Sequence, residues 1–127
     1  MSNDEIAVEF RDVSFTVAGG KKLLVHLNLT VRRGETLVLL GRSGSGKTTT
    51  MKLVNRLIHP TEGEVWIHGK RTLDWDPIRL RRRIGYVIQE IGLFPHLTVA
   101  ENIGIVPRLE GWSAERIGER ALALLRM

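Results

Sequence analysis

The sequence contains no cysteine. This absence excludes disulfide bonds, thiolate metal sites and a cysteine nucleophile. No apolar run approaches the ~20 consecutive residues that a membrane-spanning helix requires. The first residues, Met1 to Glu5, also lack the basic and apolar regions of a signal peptide. We therefore expect a globular protein that stays in the cytoplasm, where it is made.

Aromatic residues are scarce as well, at 6% of 127 residues, and they are not interleaved with basic residues. The net charge of +5 rests partly on four arginines between positions 79 and 83. These arginines follow Asp76 and Pro77, which predict a helix start, so a solvated helical face is the simpler interpretation. Without aromatic side chains to stack on bases and without a recognition-helix pattern, we do not expect nucleic-acid binding.

The most informative feature that the chain does have is a glycine-rich loop. Residues 41–48 have the sequence GRSGSGKT, which fits the phosphate-binding pattern G-x-x-x-x-G-K-[ST]. The apolar segment Thr36–Leu40 precedes the loop and predicts a strand, and a helical pattern follows it. In such a strand–loop–helix unit, backbone N–H groups, the helix N-terminus and the lysine converge on phosphate oxygens. The sequence therefore predicts binding of a nucleoside triphosphate, whereas a flexible linker would not lie between two apolar segments.

Hydrophobic periodicity predicts the elements around the loop. Antiparallel strands with one solvent-exposed face are predicted at residues 6–10, 13–17 and 23–31. A glycine-containing turn at 18–21 joins the second and third of these strands. The apolar residues Met51, Val54, Leu57 and Ile58 predict a helix that buries this face and ends at Pro60. Further along the chain, we expect a turn at 60–63, strands at 64–68 and 84–88, and a helix within 97–103. A last helix is expected to begin after Ser113, which would cap it. Its apolar stripe consists of Ile117, Ala121, Leu124 and Leu125.

The order of these segments resembles the ATP-binding subunit of an ABC transporter. The loop, the turn PTEG at 60–63 and the segments GYVIQE (85–90) and LFPHLTVAENI (93–103) carry the resemblance. It implies an α/β fold, namely the P-loop NTPase nucleotide-binding domain of the ABC type, with an N-terminal antiparallel β subdomain. The segments MKLVNRLI (51–58), IGLFP (91–95) and VPRLEGW (106–112) are similar to importers of quaternary-amine osmoprotectants such as glycine betaine, carnitine and choline.

The resemblance also assigns roles to individual residues. The lysine Lys47 would bridge the β- and γ-phosphates of ATP, Thr48 would place its hydroxyl on Mg²⁺, and Thr49 would reach an α-phosphate oxygen. The glutamine at position 89 matches the Q-loop residue that contacts Mg²⁺ and the surroundings of the attacking water, so Lys47 and Gln89 are the catalytic candidates. The nucleotide-binding set is Gly41, Arg42, Ser43, Gly44, Ser45, Gly46, Lys47, Thr48 and Thr49.

Other expected motifs of an ABC ATPase have no counterpart in these 127 residues. A Walker B strand ends in an aspartate that binds Mg²⁺ and a glutamate that polarises water. The aspartates of this chain are Asp4, Asp12, Asp74 and Asp76, and none follows a suitable apolar run. A signature motif and a switch histidine are also missing. We therefore expect an incomplete domain, with the β subdomain and P-loop core at 1–95 and a truncated helical subdomain at 96–127, that hydrolyses ATP negligibly by itself.

The same resemblance implies partners. The region 89–103 would face a transmembrane permease subunit, and a second ATP-binding subunit would complete a dimer of the full-length protein. Such a subunit is peripheral on the inner face of the cell membrane. The family's adenine-stacking aromatic residue is replaced here by Val17, so we expect weaker nucleotide affinity or lower base selectivity. A nucleotide-binding module without hydrolysis, and less favourably a basic nucleic-acid-binding protein, remain alternatives.

Overall fold

A computed structural model describes residues 5–127, which form two compact units, one that extends to Ile84 and one that begins at Gly85. Residues 1–4, on which the expectation about a signal peptide mostly rests, lie outside the described residues. The predicted division near residue 95 stays a prediction.

The first unit is built on an antiparallel sheet, as the sequence predicts. Its strands are β1 (Ile6–Thr16), β2 (Lys22–Arg32), β3 (Glu62–Ile67) and β4 (Lys70–Arg71), in the order β2-β1-β3-β4. The turn between β1 and β2 is closed by the N–H of Val17, which donates to the carbonyl of Lys21 at 2.9 Å. The turn contains Gly19 and Gly20, whose φ angles of 97° and 86° favour glycine. The two β segments predicted at 6–10 and 13–17 are thus one strand.

A β-bulge interrupts β1 at Asp12, which adopts a left-handed conformation with φ of 52°. Arg11 pairs with Glu64 and Ser14 with Glu62, so Asp12 and Val13 together face the single residue Gly63. The bulge is held from β2 as well, because Oδ1 of Asn28 accepts the Asp12 N–H at 3.0 Å. The bulge brings the backbone of β1 unusually close to β3 at Gly63.

Two α-helices complete the first unit, α1 (Lys47–Val54) and α2 (Pro77–Arg82). The carboxylate of Asp76 caps α2 by accepting the N–H of Arg79 at 2.8 Å, which confirms the predicted helix start. A 3₁₀ turn (Thr72–Asp74) links β4 to α2. The core cluster of the unit joins the sheet to both helices and consists of Phe10, Val13, Leu53, Val65, Ile67 and Leu80.

The helix after the phosphate loop differs from its prediction. It ends at Val54, and it buries Thr50 and Leu53. Of the predicted buried face, Met51 and Leu57 are 45% and 48% exposed. The helix stops early because Arg56 takes a left-handed conformation with φ of 56°, which places Leu57 outside the helical repeat.

Two predicted strands are absent from the described sheet. Residues 35–42 and 85–88 have no regular secondary structure, and none of the four strands pairs with them. A strand is stabilised by hydrogen bonds to a neighbouring strand, which an apolar run alone does not supply. The residues Val38, Leu40 and Val87 are accordingly exposed.

The second unit is helical, with α3 (Val99–Ile103), α4 (Ile105–Leu109) and α5 (Ala114–Leu125). The predicted helices near 97–103 and after Ser113 are confirmed, and the hydroxyl of Ser113 accepts the N–H of Arg116 at 3.3 Å. Along the predicted stripe of α5, Ala121 is buried, whereas Leu124 and Leu125 are exposed.

A capping box fixes the start of α3. The N–H of Thr98 donates to the Glu101 carboxylate at 2.7 Å, and the N–H of Glu101 donates to the Thr98 hydroxyl at 3.2 Å. Because the Thr98 N–H, and secondly the Thr98 hydroxyl, stabilise the charged carboxylate, they hold the pKa of Glu101 below its usual range.

We expect this cap to weaken in acid. A depressed pKa in the folded state means that the stabilisation is present above the pKa of the unfolded chain and is lost as the pH falls through the folded pKa. The Thr98 amide proton, followed by NMR, should titrate with a midpoint below that of an unstructured glutamate, and E101Q should remove the titration. A midpoint at or above the unstructured value would contradict this role of the carboxylate.

Candidate phosphate-binding site

The loop at 41–46 turns sharply into α1. Gly44 and Gly46 have φ angles of 81° and 96°, which L side chains rarely adopt. Within the loop, the N–H of Ser45 donates to the carbonyl of Arg42 at 3.1 Å. Gly46 is the N-cap residue of α1 and has no side chain to cap the first N–H groups of the helix. Those N–H groups have no partner within the helix and suit an anion.

The ammonium of Lys47 lies inside the loop. It donates to the carbonyl oxygens of Gly41 and Arg42, the latter at 2.9 Å, and it lies 3.4 Å from the hydroxyl oxygen of Ser45. The loop therefore surrounds the ammonium group of Lys47, which is the first residue of α1. Because no acidic residue occurs in the first turn of α1, this charge and the partial positive charge of the helix terminus act together.

The junction between loop and helix is anchored to the rest of the unit. The N–H and the hydroxyl of Thr50 both donate to the carbonyl of Gly46, at 2.9 and 2.8 Å. One turn further, Leu53 is 1% exposed in the core. On the other side, a Cβ on Gly46 would lie 2.9 Å from the carbonyl oxygen of Leu23 and 2.8 Å from Cδ2 of Leu24. The start of β2 therefore packs directly against the end of the loop.

The residues present fit a polyphosphate group. A Cβ on Gly41 would lie 2.5 Å from the Ser45 hydroxyl oxygen and 3.8 Å from Nζ of Lys47, so a side chain at this position would occupy the interior of the loop. A small backbone concavity, a lysine ammonium and the positive end of a helix are the groups that phosphate oxygens prefer.

The structure gathers most of the residues that the sequence analysis assigns to the nucleotide. Residues 41–49 form one continuous loop and helix start, in which Thr48 is exposed and Thr49 is half-buried. Gln89 is exposed and belongs to the second unit, so its predicted role stays a prediction.

Sequence reasoning missed two contributors, Thr50 and Leu24. Thr50 shares a helix face with Leu53, three residues later, which was the available signal for its burial. Nothing in the local sequence signals the contact between Leu24 and Gly46, because it joins segments that are distant along the chain.

The second unit carries an apolar cavity of about 510 Å³. Its lining residues are Ile91, Leu93, Phe94, Pro95, Leu97, Val99, Asn102 and Ile103. The wall between Phe94 and Thr98 is held by the amide of Asn102, whose oxygen accepts the Phe94 N–H at 2.8 Å. The amide nitrogen donates to the carbonyls of Phe94, Leu97 and Thr98 at 2.9–3.2 Å. One side chain thus fixes the shape of this loop.

Within residues 5–127 no group of three or more histidine, aspartate or glutamate side chains is placed to hold a metal ion. Over the same part of the chain, no helix combines the length and the apolar character needed to cross a membrane.

Comparison with known proteins gives consistent matches. A family model described as ABC transporter matches residues 24–127. The choline transport ATP-binding protein OpuBA of Bacillus subtilis is 51% identical over 116 residues, which are 91% of this chain and 30% of OpuBA. The carnitine transport ATP-binding protein OpuCA of Listeria monocytogenes is 51% identical over 94% of this chain and 30% of its own length. The osmoprotectant import ATP-binding protein OsmV of Salmonella typhimurium is 54% identical over 84% of this chain and 28% of its own length.

A solved structure agrees with these matches. The ATP-binding cassette MJ0796, in a dimeric post-hydrolysis state bound to ADP and Pi, is similar with a TM-score of 0.81 and 36% sequence identity. The match covers 94% of this chain and 56% of the MJ0796 chain. The chain thus spans about 30% of the length of the first curated relatives and just over half of the solved cassette.

Proposed function

This chain belongs to the ABC transporter family, and on that premise we propose that residues 41–49 bind ATP with Mg²⁺ as part of the ATP-binding, energy-coupling subunit of an importer. The observation that carries the proposal is the closure of the loop around the Lys47 ammonium at the N-terminus of α1. A triphosphate binds well where a cation, a glycine-rich backbone and a helix N-terminus lie together.

The residues of the loop contribute to nucleotide binding in different ways. The backbone of Gly41, Gly44 and Gly46 admits phosphate oxygens close to the N–H groups, and Lys47 neutralises their charge. The exposed hydroxyl of Thr48 is available to Mg²⁺, which keeps the triphosphate oriented when both are bound. Thr50 and Leu53 hold the loop in place through α1, so the site is preorganised.

Three named relatives support an importer of quaternary-amine osmoprotectants such as glycine betaine, carnitine or choline. They are a choline, a carnitine and an osmoprotectant transport ATP-binding protein, each 51–54% identical to this chain over the matched residues.

The region 89–103 is the proposed contact with the permease subunit. In its favour, Ile91 and Leu93 are 88% and 64% exposed beside the apolar cavity, and such a surface suits an apolar partner. A second ATP-binding subunit and a peripheral location at the cytoplasmic membrane face belong to the same proposal.

Nucleotide binding is tested on the 127-residue chain by calorimetric titration with ATP, with and without Mg²⁺. We expect saturable binding that Mg²⁺ strengthens, and a weaker Mg²⁺ effect in the variant T48V, which keeps the shape of the side chain and lacks the hydroxyl. Absence of saturable binding would overturn the proposal.

Hydrolysis is a separate prediction for the same 127-residue chain. Phosphoryl transfer depends on charge stabilisation and on a residue that orients the attacking water, and no Walker B aspartate or following glutamate occurs in this sequence. We expect phosphate release in a malachite green assay to stay at the level of a protein-free blank. Turnover above that blank that disappears in K47A would show this expectation to be wrong.

The importer role is tested in cells. Disruption of the complete gene should lower the uptake of at least one labelled substrate among glycine betaine, carnitine and choline at high osmolarity. The intact gene should restore uptake, and a K47A allele should not. Unchanged uptake of all three compounds in the disrupted strain would count against the osmoprotectant assignment.

A further inference from the structure

We propose that Arg56 and Arg81 are positioning residues for the phosphate-binding site, a role that rests on the nucleotide binding proposed above. Arg56 follows the C-terminal end of α1, the helix that begins with Lys47, and Arg81 belongs to α2. Each side chain donates hydrogen bonds to the backbone of the other segment, and we call this pair the arginine clasp. The clasp fixes the end of α1 that lies opposite the phosphate loop.

The arginine clasp consists of three hydrogen bonds. The guanidinium of Arg81 donates to the carbonyl of Asn55 at 3.2 Å and to that of Arg56 at 2.7 Å. In the other direction, the guanidinium of Arg56 donates at 2.8 Å to the carbonyl of Trp75, which precedes the N-cap of α2. Because Trp75 packs against the core of the first unit, the clasp ties the end of α1 to a fixed part of the fold.

Arg56 adopts a backbone conformation that arginine rarely takes. Its φ angle of 56° lies in the left-handed region, at the position after a helix where glycine is usual. The N–H of Leu57 donates to the carbonyl of Lys52 at 2.9 Å, which is the pattern of a helix that ends in this way. Glycine would fit this turn with less strain, but it has no side chain to reach Trp75. Strained residues of this kind cluster at functional sites.

The C-terminal end of α1 needs the donors that Arg81 supplies. The last carbonyl groups of a helix lack partners within it and carry partial negative charge. Asn55 is 4% exposed, so its backbone has little access to water. The Arg81 guanidinium provides both hydrogen-bond donors and the opposite charge. Arg81 is thus engaged in the fold, beyond the solvated face that the sequence predicts for residues 79–83.

The clasp acts on the phosphate loop through α1. This helix has eight residues, which is too short for stability without tertiary contacts. Leu53 is buried in the core, six residues after Lys47, and the clasp begins two residues later. If α1 tilts about Leu53, Lys47 moves about three times as far as the clasp, because the rise per residue is constant. The contact of Gly46 with β2 opposes such a tilt in one direction only.

The experiment measures the affinity of the 127-residue chain for Mg·ATP and for the Mg²⁺ complex of inorganic tripolyphosphate by calorimetric titration. R81A should weaken the binding of both ligands about five- to tenfold, because a displaced loop makes poorer hydrogen bonds to phosphate. The loss should be the same for both ligands, since the clasp acts on the part of the site that holds phosphates. R81K, whose ammonium can donate to one of the two carbonyls, should recover part of the loss.

R56G separates positioning from stability. Glycine suits the left-handed turn, so relief of strain offsets the lost hydrogen bond, and the urea midpoint should stay near that of the wild type. The affinity for both ligands should nevertheless fall about fivefold, because the side chain that holds the end of α1 is gone. A residue that only stabilises the fold would leave the affinity of the folded chain unchanged.

Arg79, which is exposed on the same helix as Arg81, is the matched control. R79A removes an equal charge and keeps the backbone N–H that donates to Asp76, so it should bind both ligands like the wild type. A loss in R79A equal to that in R81A would mean that the charge of α2 affects binding and the clasp does not.

The outcomes distinguish the clasp from nucleotide binding itself. If the wild type binds ATP, and R56G and R81A bind it within about twofold of the wild type, the clasp does not position the site, and nucleotide binding stands. If the wild type binds neither ligand, the proposed function fails and the role of the clasp fails with it. R56G decides the matter even if R81A does not fold, because glycine is the residue that this turn favours.

Discussion

Replacing Gly63 with alanine should destabilise the first unit by roughly 3–5 kcal/mol, which is a large part of the 5–15 kcal/mol typical of a domain. A Cβ at this position would lie 2.2 Å from the carbonyl oxygen of Asp12 and 2.5 Å from that of Arg11. These are backbone atoms of β1, so no change of rotamer can relieve the overlap. The φ angle of 76° adds the cost of a left-handed conformation, about 1 kcal/mol. The strands β1 and β3 must move apart to accept the methyl group.

Gly69 provides the matched control for this substitution. Its φ angle is 74°, close to that of Gly63, but a Cβ on it would meet no atom within 4 Å. G69A should therefore cost only the conformational term, about 1 kcal/mol. Urea denaturation followed by circular dichroism gives both free energies of unfolding from the midpoints and slopes. Equal losses for G63A and G69A would mean that the close approach at the bulge does not limit stability.

The segment 60–63 was predicted only in part. The pattern PTEG predicts a turn there, whereas the structure bends at Thr61 and begins strand β3 at Glu62. The antiparallel strands β1 and β2 with the turn between them, the start of α2 at Asp76 and the helix after Ser113 were predicted and are present. The fold class expected from the resemblance is likewise confirmed by the match to MJ0796. The bulge at Asp12 was not predictable, because it depends on a pairing of β1 with β3 across some fifty intervening residues.

The predicted strands at 36–40 and 84–88 failed for a related reason. Their apolar composition indicates burial, but the hydrogen bonds that define a strand come from a neighbour, which the described sheet does not supply. The phosphate loop is different, since its conformation is set by glycines and a lysine that are contiguous in sequence. Residues 41–46 therefore form a loop that leads into α1, as the pattern predicts, and their role in binding stays a prediction. The packing of Leu24 on Gly46 required the structure.

Replacing Lys47 with alanine should weaken the binding of Mg·ATP by roughly 10²- to 10³-fold. The ammonium that now donates to the carbonyls of Gly41 and Arg42 is the cation held inside the loop. Hydrogen bonds to charged groups contribute about 1.5–3 kcal/mol each, and one lysine bridging two phosphates makes more than one. The helix terminus remains in K47A, so residual weak binding is expected rather than none.

The fold should survive this substitution, because Thr50 and Leu53 anchor α1 independently of the lysine. Lys52, an exposed cation in the last turn of the same helix, is the control that removes an equal charge. K52A should bind ATP like the wild type, since it lies at the negative end of the helix dipole, away from the loop. Comparable affinities of K47A and K52A, with both variants folded by circular dichroism, would show that the loop is not where the triphosphate binds. A loss confined to K47A would instead localise the bound phosphates to the N-terminus of α1.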